Sequence, residues 1–426
     1  MPSFQSALVF TTLVTSALAA PAPAAPLVPR SFEVLQVRNP NAPPRNGAAA
    51  MAKAFAKFGF GNTAVQRRAM ASAAMAGSGS ASQAANGTTG GGDNGSVGTA
   101  SANMGAEFLS QVTIGNQQFN MDFDTGSSDL WVFTNALPQQ SVGQHSTFIA
   151  NKSPSFKQMQ GATWQISYGD GSGAAGTVGT DTVNIGGATV TNQAVEQATA
   201  VSQSFVQDMQ NDGLVGLAFS SLNTVKPQQQ KTFFANVMPN LDQPLFTANL
   251  KNDSTGKYQF GTVDQTAFTG GQLNWAAVDN SSGFWQIQSN SFMVGNQKMQ
   301  NPTATPAIAD TGTSLLLVDD MVAQTYYSAV PGAQLNQQAG GFTYPCSTTP
   351  PNFSVAIGNS GYMATVPGSM ITFAQVDQAT CFGGVQSNMG APMQIYGDTM
   401  FKAQFVAFNG GNNSLGVAPK AGIAMN

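Results

Sequence analysis

Charge is the scarcest property of this chain: only 8% of its 426 residues are Asp, Glu, Lys or Arg, against roughly 25% in an average soluble protein. Histidine is rarer still, His145 being the only one. A single imidazole makes a zinc site and a histidine-based nucleophilic triad poor readings. Cysteine is limited to Cys346 and Cys381; neither has a histidine partner, which argues against a thiol protease. Arginine is absent after Arg68, so no basic patch remains in the body to hold a nucleic acid. Long apolar runs are missing too. The stretch around Leu8 to Val14 is too short to span a bilayer, and the Ala421 to Asn426 end has no anchor-type tail. No metal, cofactor, nucleic acid or membrane partner is expected.

What is present suits a folded body. Although low charge with few aromatics suggests disorder, 42% of the residues are hydrophobic, enough for a sizeable core. The 46 glycines and short Val/Ile/Phe/Tyr/Thr runs broken by Gly, Asn, Ser and Asp indicate many strands and turns. The few charges are segregated. Residues 21–85 hold seven basic side chains against Glu33 alone, a net of +6; from residue 86 nine lysines face nineteen acids, a net of −10. Such a basic stretch is a solvated face, a nucleic-acid tail or a segment that binds the acidic body.

Residues 1–20 carry no charge and end in Ala17-Leu18-Ala19, resembling a secretory signal without its basic start. Ser31 to Val37 alternates like a strand, and residues 48–60 look helical, stopping near Gly59. Arg67-Arg68 is a dibasic pair of the kind processing proteases cut. Residues 69–105 read as a Gly/Ser/Ala/Asn connector, with ordered structure expected from Glu107, Phe108 and Leu109. Beyond that point the clearest helical period is Asp319 to Val330. In an oxidising compartment Cys346 and Cys381 form one bridge; otherwise they are two separate buried thiols. Seven Asn-x-Ser/Thr triplets, at Asn86, Asn94, Asn151, Asn252, Asn280, Asn352 and Asn412, permit glycosylation.

The chemistry lies in a repeat. Asp124-Thr125-Gly126 and Asp310-Thr311-Gly312 each follow an apolar strand and precede a hydroxyl residue and a serine. A second pair of segments, Gly213-Leu-Val-Gly-Leu and Gln394-Ile-Tyr-Gly-Asp, corresponds more loosely. A duplication this diverged implies two β-rich lobes. Glycine lets the two loops turn and approach without a Cβ clash. Thr125 and Thr311 offer hydroxyls to the opposite loop, while Ser127 and Thr313 can orient their own aspartates. Two adjacent carboxylates hold one proton between them, so one can act as general base on a water while the other polarises a carbonyl. One such triad alone is only a turn; two with matching flanks are specific.

From about Glu107 onward the chain resembles the pepsin-like aspartic proteases, in particular the secreted fungal acid proteases of the penicillopepsin, aspergillopepsin and endothiapepsin type. The resemblance rests on Phe123-Asp-Thr-Gly-Ser-Ser-Asp-Leu-Trp-Val132, Ile166-Ser-Tyr-Gly-Asp-Gly-Ser172, Asn211-Asp-Gly-Leu-Val-Gly-Leu-Ala-Phe219 and Ala309-Asp-Thr-Gly-Thr-Ser314. It implies an all-β, bilobal fold with Asp124 and Asp310 as the catalytic pair in the cleft. It also implies a flap carrying Tyr168, Gly169, Asp170 and Ser172. Tyr168 should bond Trp131, Phe205 and Leu214 should wall the same pocket, and Asp170 could pair with a substrate lysine. Lys57-Phe58 resembles the Lys-Tyr with which such zymogens block their acids, Lys53 being the alternative.

The resulting expectation is a signal at 1–20, a basic propeptide and connector at 21–85, an N-terminal lobe at 86–264 and a C-terminal lobe at 265–426. The whole would be a secreted, monomeric acid endopeptidase that binds its own propeptide and protein or peptide substrates. A pepsin-fold protein that no longer cleaves, and a vacuolar or anchored processing protease, are the alternatives.

Overall fold

The computed structural model describes residues 30–38, 45–60, 108–167, 173–209, 211–251 and 255–424. Its backbone is a long mixed sheet with three smaller ones. In chain order the strands of its first part are β1 (Phe32–Arg38), β2 (Phe108–Ile114), β3 (Gln117–Asp124), β4 (Leu130–Val132), β5 (Lys157–Ser167), β6 (Gly173–Ile185), β7 (Ala188–Val201), β8 (Gly213–Gly216), β9 (Leu245–Asn249), β10 (Gly256–Phe260) and β11 (Asn274–Ala277). The alternation in β3 sends Phe119, Met121 and Phe123 into the core and leaves Gln118 and Asn120 outside, as a sheet covered on one face requires.

The same local architecture occurs twice. In the first half β3 runs parallel to β8, which in turn pairs antiparallel with β4, and β4 lies parallel to β7. In the second half Ala307–Ala309 runs parallel to Gln394–Tyr396, Leu316–Val318 pairs antiparallel with that strand, and Val385–Ser387 lies parallel on the far side. Each unit therefore threads a late strand between the two arms of an earlier turn. Gly213–Gly216 and Gln394–Tyr396 occupy that central slot in their respective halves, which explains why two apolar residues precede a glycine in each.

β1 joins the two parts of the long sheet, lying between β10 and β2. It pairs antiparallel with β10 from Phe32 opposite Phe260 to Gln36 opposite Gly256, and with β2 at Gln36, Val37 and Arg38. Outside the strand, Arg30 pairs with Asp242 at 2.9 Å, and Lys257 bridges Glu33 at 3.6 Å and Asp264 at 3.1 Å. The Arg30 pair is exposed and the Lys257 pairs are partly so, and they orient the segment more than they hold it.

The helix Gly47–Lys57 opens on Asn46, whose side chain accepts from the Ala49 amide. Met51, Ala54 and Phe55 pack into a cluster with Ile308, Leu315, Leu317, Ile395 and Phe382 of the second half. Observed boundaries fall close to the sequence reading: Phe32–Arg38 for the first strand, Gly47–Lys57 for the first helix and Asp320–Ser328 for the later one. Cys346 and Cys381 form a disulfide with Cα atoms 5.0 Å apart, closing the ladder in which Tyr344 faces Cys381. Among the described residues no helix is long and apolar enough to cross a membrane.

Candidate active site

The two Asp-Thr-Gly turns meet tip to tip. The Thr125 amide donates to Thr311 Oγ1 at 3.1 Å, and the Thr311 amide donates to Thr125 Oγ1 at 2.9 Å. Each hydroxyl then donates across the junction, Thr125 to the Ala309 carbonyl at 2.9 Å and Thr311 to the Phe123 carbonyl at 2.8 Å. Four bonds, two from each side, thus fasten the halves where the acids emerge. The glycines make the approach possible. A Cβ at Gly126 would lie 2.5 Å from Asp310 Oδ1, and one at Gly312 would lie 2.4 Å from Asp124 Oδ1.

Both carboxyls are buried and held in the same way. Asp124 accepts from the Gly126 amide at 2.8 Å and from Ser127 Oγ at 2.6 Å. Asp310 accepts from the Gly312 amide at 3.0 Å and from Thr313 Oγ1 at 2.5 Å. Their orientation is fixed by donors from their own turns, which is the preorganisation that acid–base chemistry needs.

A lysine sits between them. Lys57 Nζ is 2.6 Å from Asp124 Oδ1, and 2.8 and 2.9 Å from the two oxygens of Asp310. Burial works against the ammonium charge, but the two carboxyls outweigh it and push its pKa up. Burial likewise lifts Asp124, yet Lys57 and the hydrogen bonds around it prevail and hold it below the usual carboxylate value. At Asp310 burial wins: Lys57 pulls down, the charge of Asp124 pushes back, and the group settles at about 6. The pair as a unit holds its first charge easily and its second with difficulty.

Phe58 stacks on Phe60 and meets Phe284 edge-on, with centroids 5.6 Å apart in both contacts. Lys53 lies elsewhere on the helix, exposed. Its charge acts on Asp122, which burial lifts to about 7. Phe60, Phe284 and Asp122 were not singled out from the sequence, since nothing local to them differs from ordinary strand or loop residues.

Trp131 meets Phe205 edge-on at 5.1 Å; Trp131 and Leu214 belong to one buried cluster, and Phe205 packs against it. Trp131 Nε1 is buried with no partner among the described residues. Tyr168, Gly169, Asp170 and Ser172 lie outside the described residues. The strands that lead to and from that segment, β5 and β6, pair at Ser167 and Gly173. Among the described residues no three His, Cys, Asp or Glu side chains gather as a metal centre needs.

Comparison with known proteins adds the last observation. The model of the eukaryotic aspartyl protease family matches residues 107–420. An aspergillopepsin A-like aspartic endopeptidase of Aspergillus fumigatus is 47% identical, over 98% of this chain and 99% of its own length. Penicillopepsin-1 of Penicillium janthinellum is 49% identical over 74% of this chain and 95% of its own. Aspergillopepsin-1 of Aspergillus pseudoglaucus is 42% identical over 94% and 96%.

Proposed function

The chain belongs to the eukaryotic aspartyl protease family and is an aspartic endopeptidase of the penicillopepsin and aspergillopepsin type; from that premise we propose that Asp124 and Asp310 are its catalytic pair and that residues 21–85 are a propeptide that blocks them. The observation that carries this reading is one ammonium within 2.6–2.9 Å of oxygens from both acids. With the lysine withdrawn, its place is the one a water would take, equally within reach of either carboxyl. The ionised member of the pair then takes a proton from that water as it attacks the scissile carbonyl. The protonated member donates to the carbonyl oxygen, so charge never accumulates on the substrate. Thr125 and Thr311 keep the two acids at this spacing, while Ser127 and Thr313 aim them.

Substrates would lie extended between an N-terminal lobe ending near residue 264 and the C-terminal lobe beyond it. Trp131 and Leu214, opposite one another on β4 and β8, pack with Phe205 and would wall a pocket that favours a large hydrophobic residue next to the cut. The flap residues Tyr168, Gly169, Asp170 and Ser172 would close over it, Tyr168 supplying the partner that Trp131 Nε1 lacks. Asp170 would admit a lysine before the cut.

Acid would release the block. The depressed pKa of Asp124 means that its contact with Lys57 is complete above the ordinary carboxylate range and is lost as pH falls through the folded value. Lys57 stays charged throughout, so it is the acid side of the contact that fails. Conversion at equal rates in neutral and acidic buffer would end this part of the reading. Secretion accords with the uncharged leader and the oxidised cysteine pair, and N-terminal sequencing of the protein recovered from culture fluid tests it together with processing. For the catalytic pair the test is Asp310→Asn, expected to lower acid proteolysis by about 10²–10⁴-fold. Equal activity in the parent and the variant overturns the assignment.

A further inference from the structure

Behind the Asp124 turn lies a second pair of acids that the reaction does not use. Asp129 and Glu196 are each 1% exposed, and both bond the same amide: Asn223 Nδ2 donates to Asp129 Oδ1 at 2.8 Å and to Glu196 Oε1 at 2.9 Å. That nitrogen also lies 3.2 Å from the Ser128 carbonyl. Its two hydrogens therefore face three acceptors. The Thr224 amide supplies one further donor to Asp129 at 2.8 Å, and Glu196 Oε2 remains buried without any. No cation forms an ion pair with either acid among the described residues. The two carboxyls meet at that one nitrogen. Two ionised acids in such a place would leave acceptors unserved and charges unpaired, so a proton on one of them is the missing donor.

The position of the cluster gives this proton a consequence. Asp129 closes the turn that begins at Asp124, and that turn is stitched to the segment after β8. The Leu217 amide donates to the Asp124 carbonyl at 2.7 Å, the Ala218 amide to the Ser127 carbonyl at 2.9 Å, and the Gly216 amide to the Asp129 carbonyl at 2.8 Å. Asn223 and Thr224 lie on the continuation of that segment, and β7 brings Glu196 opposite Trp131. We propose that Asp129 and Glu196 are positioning residues that share one proton across Asn223 and so fasten the Asp124 turn to its supporting segment in acid, and loosen it when that proton leaves. The departing proton goes to solvent, and two like charges remain side by side.

The second half of the molecule provides an internal control. The residue that corresponds to Asp129 is Leu315, and the one that corresponds to Glu196 is Gln386, opposite Leu317 as Glu196 is opposite Trp131. Gln386 is fully buried and its amide is satisfied at both ends, accepting from the Phe342 amide at 2.8 Å and donating to the Phe342 and Gly383 carbonyls at 3.0 and 2.8 Å. An uncharged side chain thus fills the same slot without a proton.

The pH range follows from the shifts. Burial raises Asp129 to about 6 against the hydrogen bonds from Thr224 and Glu196 that pull it down, and burial with the charge of Asp129 raises Glu196 well above the usual carboxylate value. Raised carboxyl values mean stability that is complete below the unfolded value and is lost as pH climbs through the folded one. The other chargeable side chains on the surrounding elements are Asp122 and Asp124 on β3, Lys157 on β5, Asp181 on β6, and Lys226 and Lys231 after β8; all three lysines are exposed.

The test is thermal unfolding of the full chain carrying Asp310→Asn, which prevents self-cleavage, with and without Glu196→Gln. As pH rises from about 4 to about 8 the melting temperature should fall, and Glu196→Gln, whose amide is a donor at every pH, should flatten that fall. Parallel curves overturn the proposal, because a merely structural role would lower stability equally at every pH. Asp129→Asn should flatten the fall from the other partner, and failure of both variants to fold even in acid overturns it as well. In the active chain the neutral limb of kcat should move with the melting curve while acid kcat and KM stay unchanged. This kinetic arm alone rests on the catalytic role proposed for Asp124; the thermal arm needs no activity.

Discussion

The two halves of this molecule present their acids in the same way and support them differently. In front, the turns are near copies: the same four crossing bonds, the same amide and hydroxyl on each carboxyl. Behind, the first half holds Asp129, Glu196 and Asn223, whereas the second holds Leu315 and Gln386. Leu315 and its neighbour Leu317 pack with Met51 and Phe55 of the helix Gly47–Lys57. One half therefore carries its sensitivity to pH inside its own core. The other is covered by a helix from the N-terminal segment, and depends on that helix staying in place. Symmetry is kept where geometry must be shared and abandoned where each half has its own support.

The disulfide is the largest asymmetry to probe, because only the second half is stapled. Cys346→Ser should cost about 3–4 kcal/mol for a closed loop of this length, and its partner lies 35 residues away. Urea unfolding should show that loss confined to the second half, with the first half melting as in the parent; a uniform loss would mean that the halves unfold as one. The glycines test the opposite claim, that the fronts are equivalent. Gly126→Ala and Gly312→Ala each drive a methyl into the facing carboxyl, and acid kcat should fall by about 10²-fold in both. Unequal losses would show that one acid tolerates displacement better than the other.

Gln386→Glu is the finest test, since it writes the first half's chemistry into the second. The introduced carboxyl would keep the acceptor role toward the Phe342 amide, keep one donated bond when protonated and lose both when ionised. In acid, protonated, it should be nearly silent. Once ionised it should destabilise by about 1–3 kcal/mol, because the buried Phe342 and Gly383 carbonyls lose their donor. Melting temperature against pH reads this directly, and a pH-independent loss would refer the effect to packing.

Much of the candidate site's geometry was legible in the sequence because its logic is local. The turn residues Gly126 and Gly312, the orienting Ser127 and Thr313, and the acids themselves lie within four positions of one another in each copy. The strand Phe32–Arg38 and the helix Gly47–Lys57 were readable from alternation and from an alanine-rich period. Lys57 could be named only with Lys53 as its alternative, since the two are a single helical turn apart and pattern alone cannot say which reaches the cleft. The acid pair behind Asp124 was not legible. Asp129 stands in plain view within Phe123–Val132, but Glu196 and Asn223 are 67 and 94 residues further along the chain. Nothing in the alternation of β7 marks its one acid as buried.

The sequence by itself determined that two equivalent acids would emerge on matched turns, because a duplicated motif carries its own local geometry wherever it folds. Only the tertiary structure decided which lysine lies between them, and which other carboxyls are driven together out of water. Both depend on the packing of segments far apart in the chain, and burial is set by neighbours that no local pattern encodes.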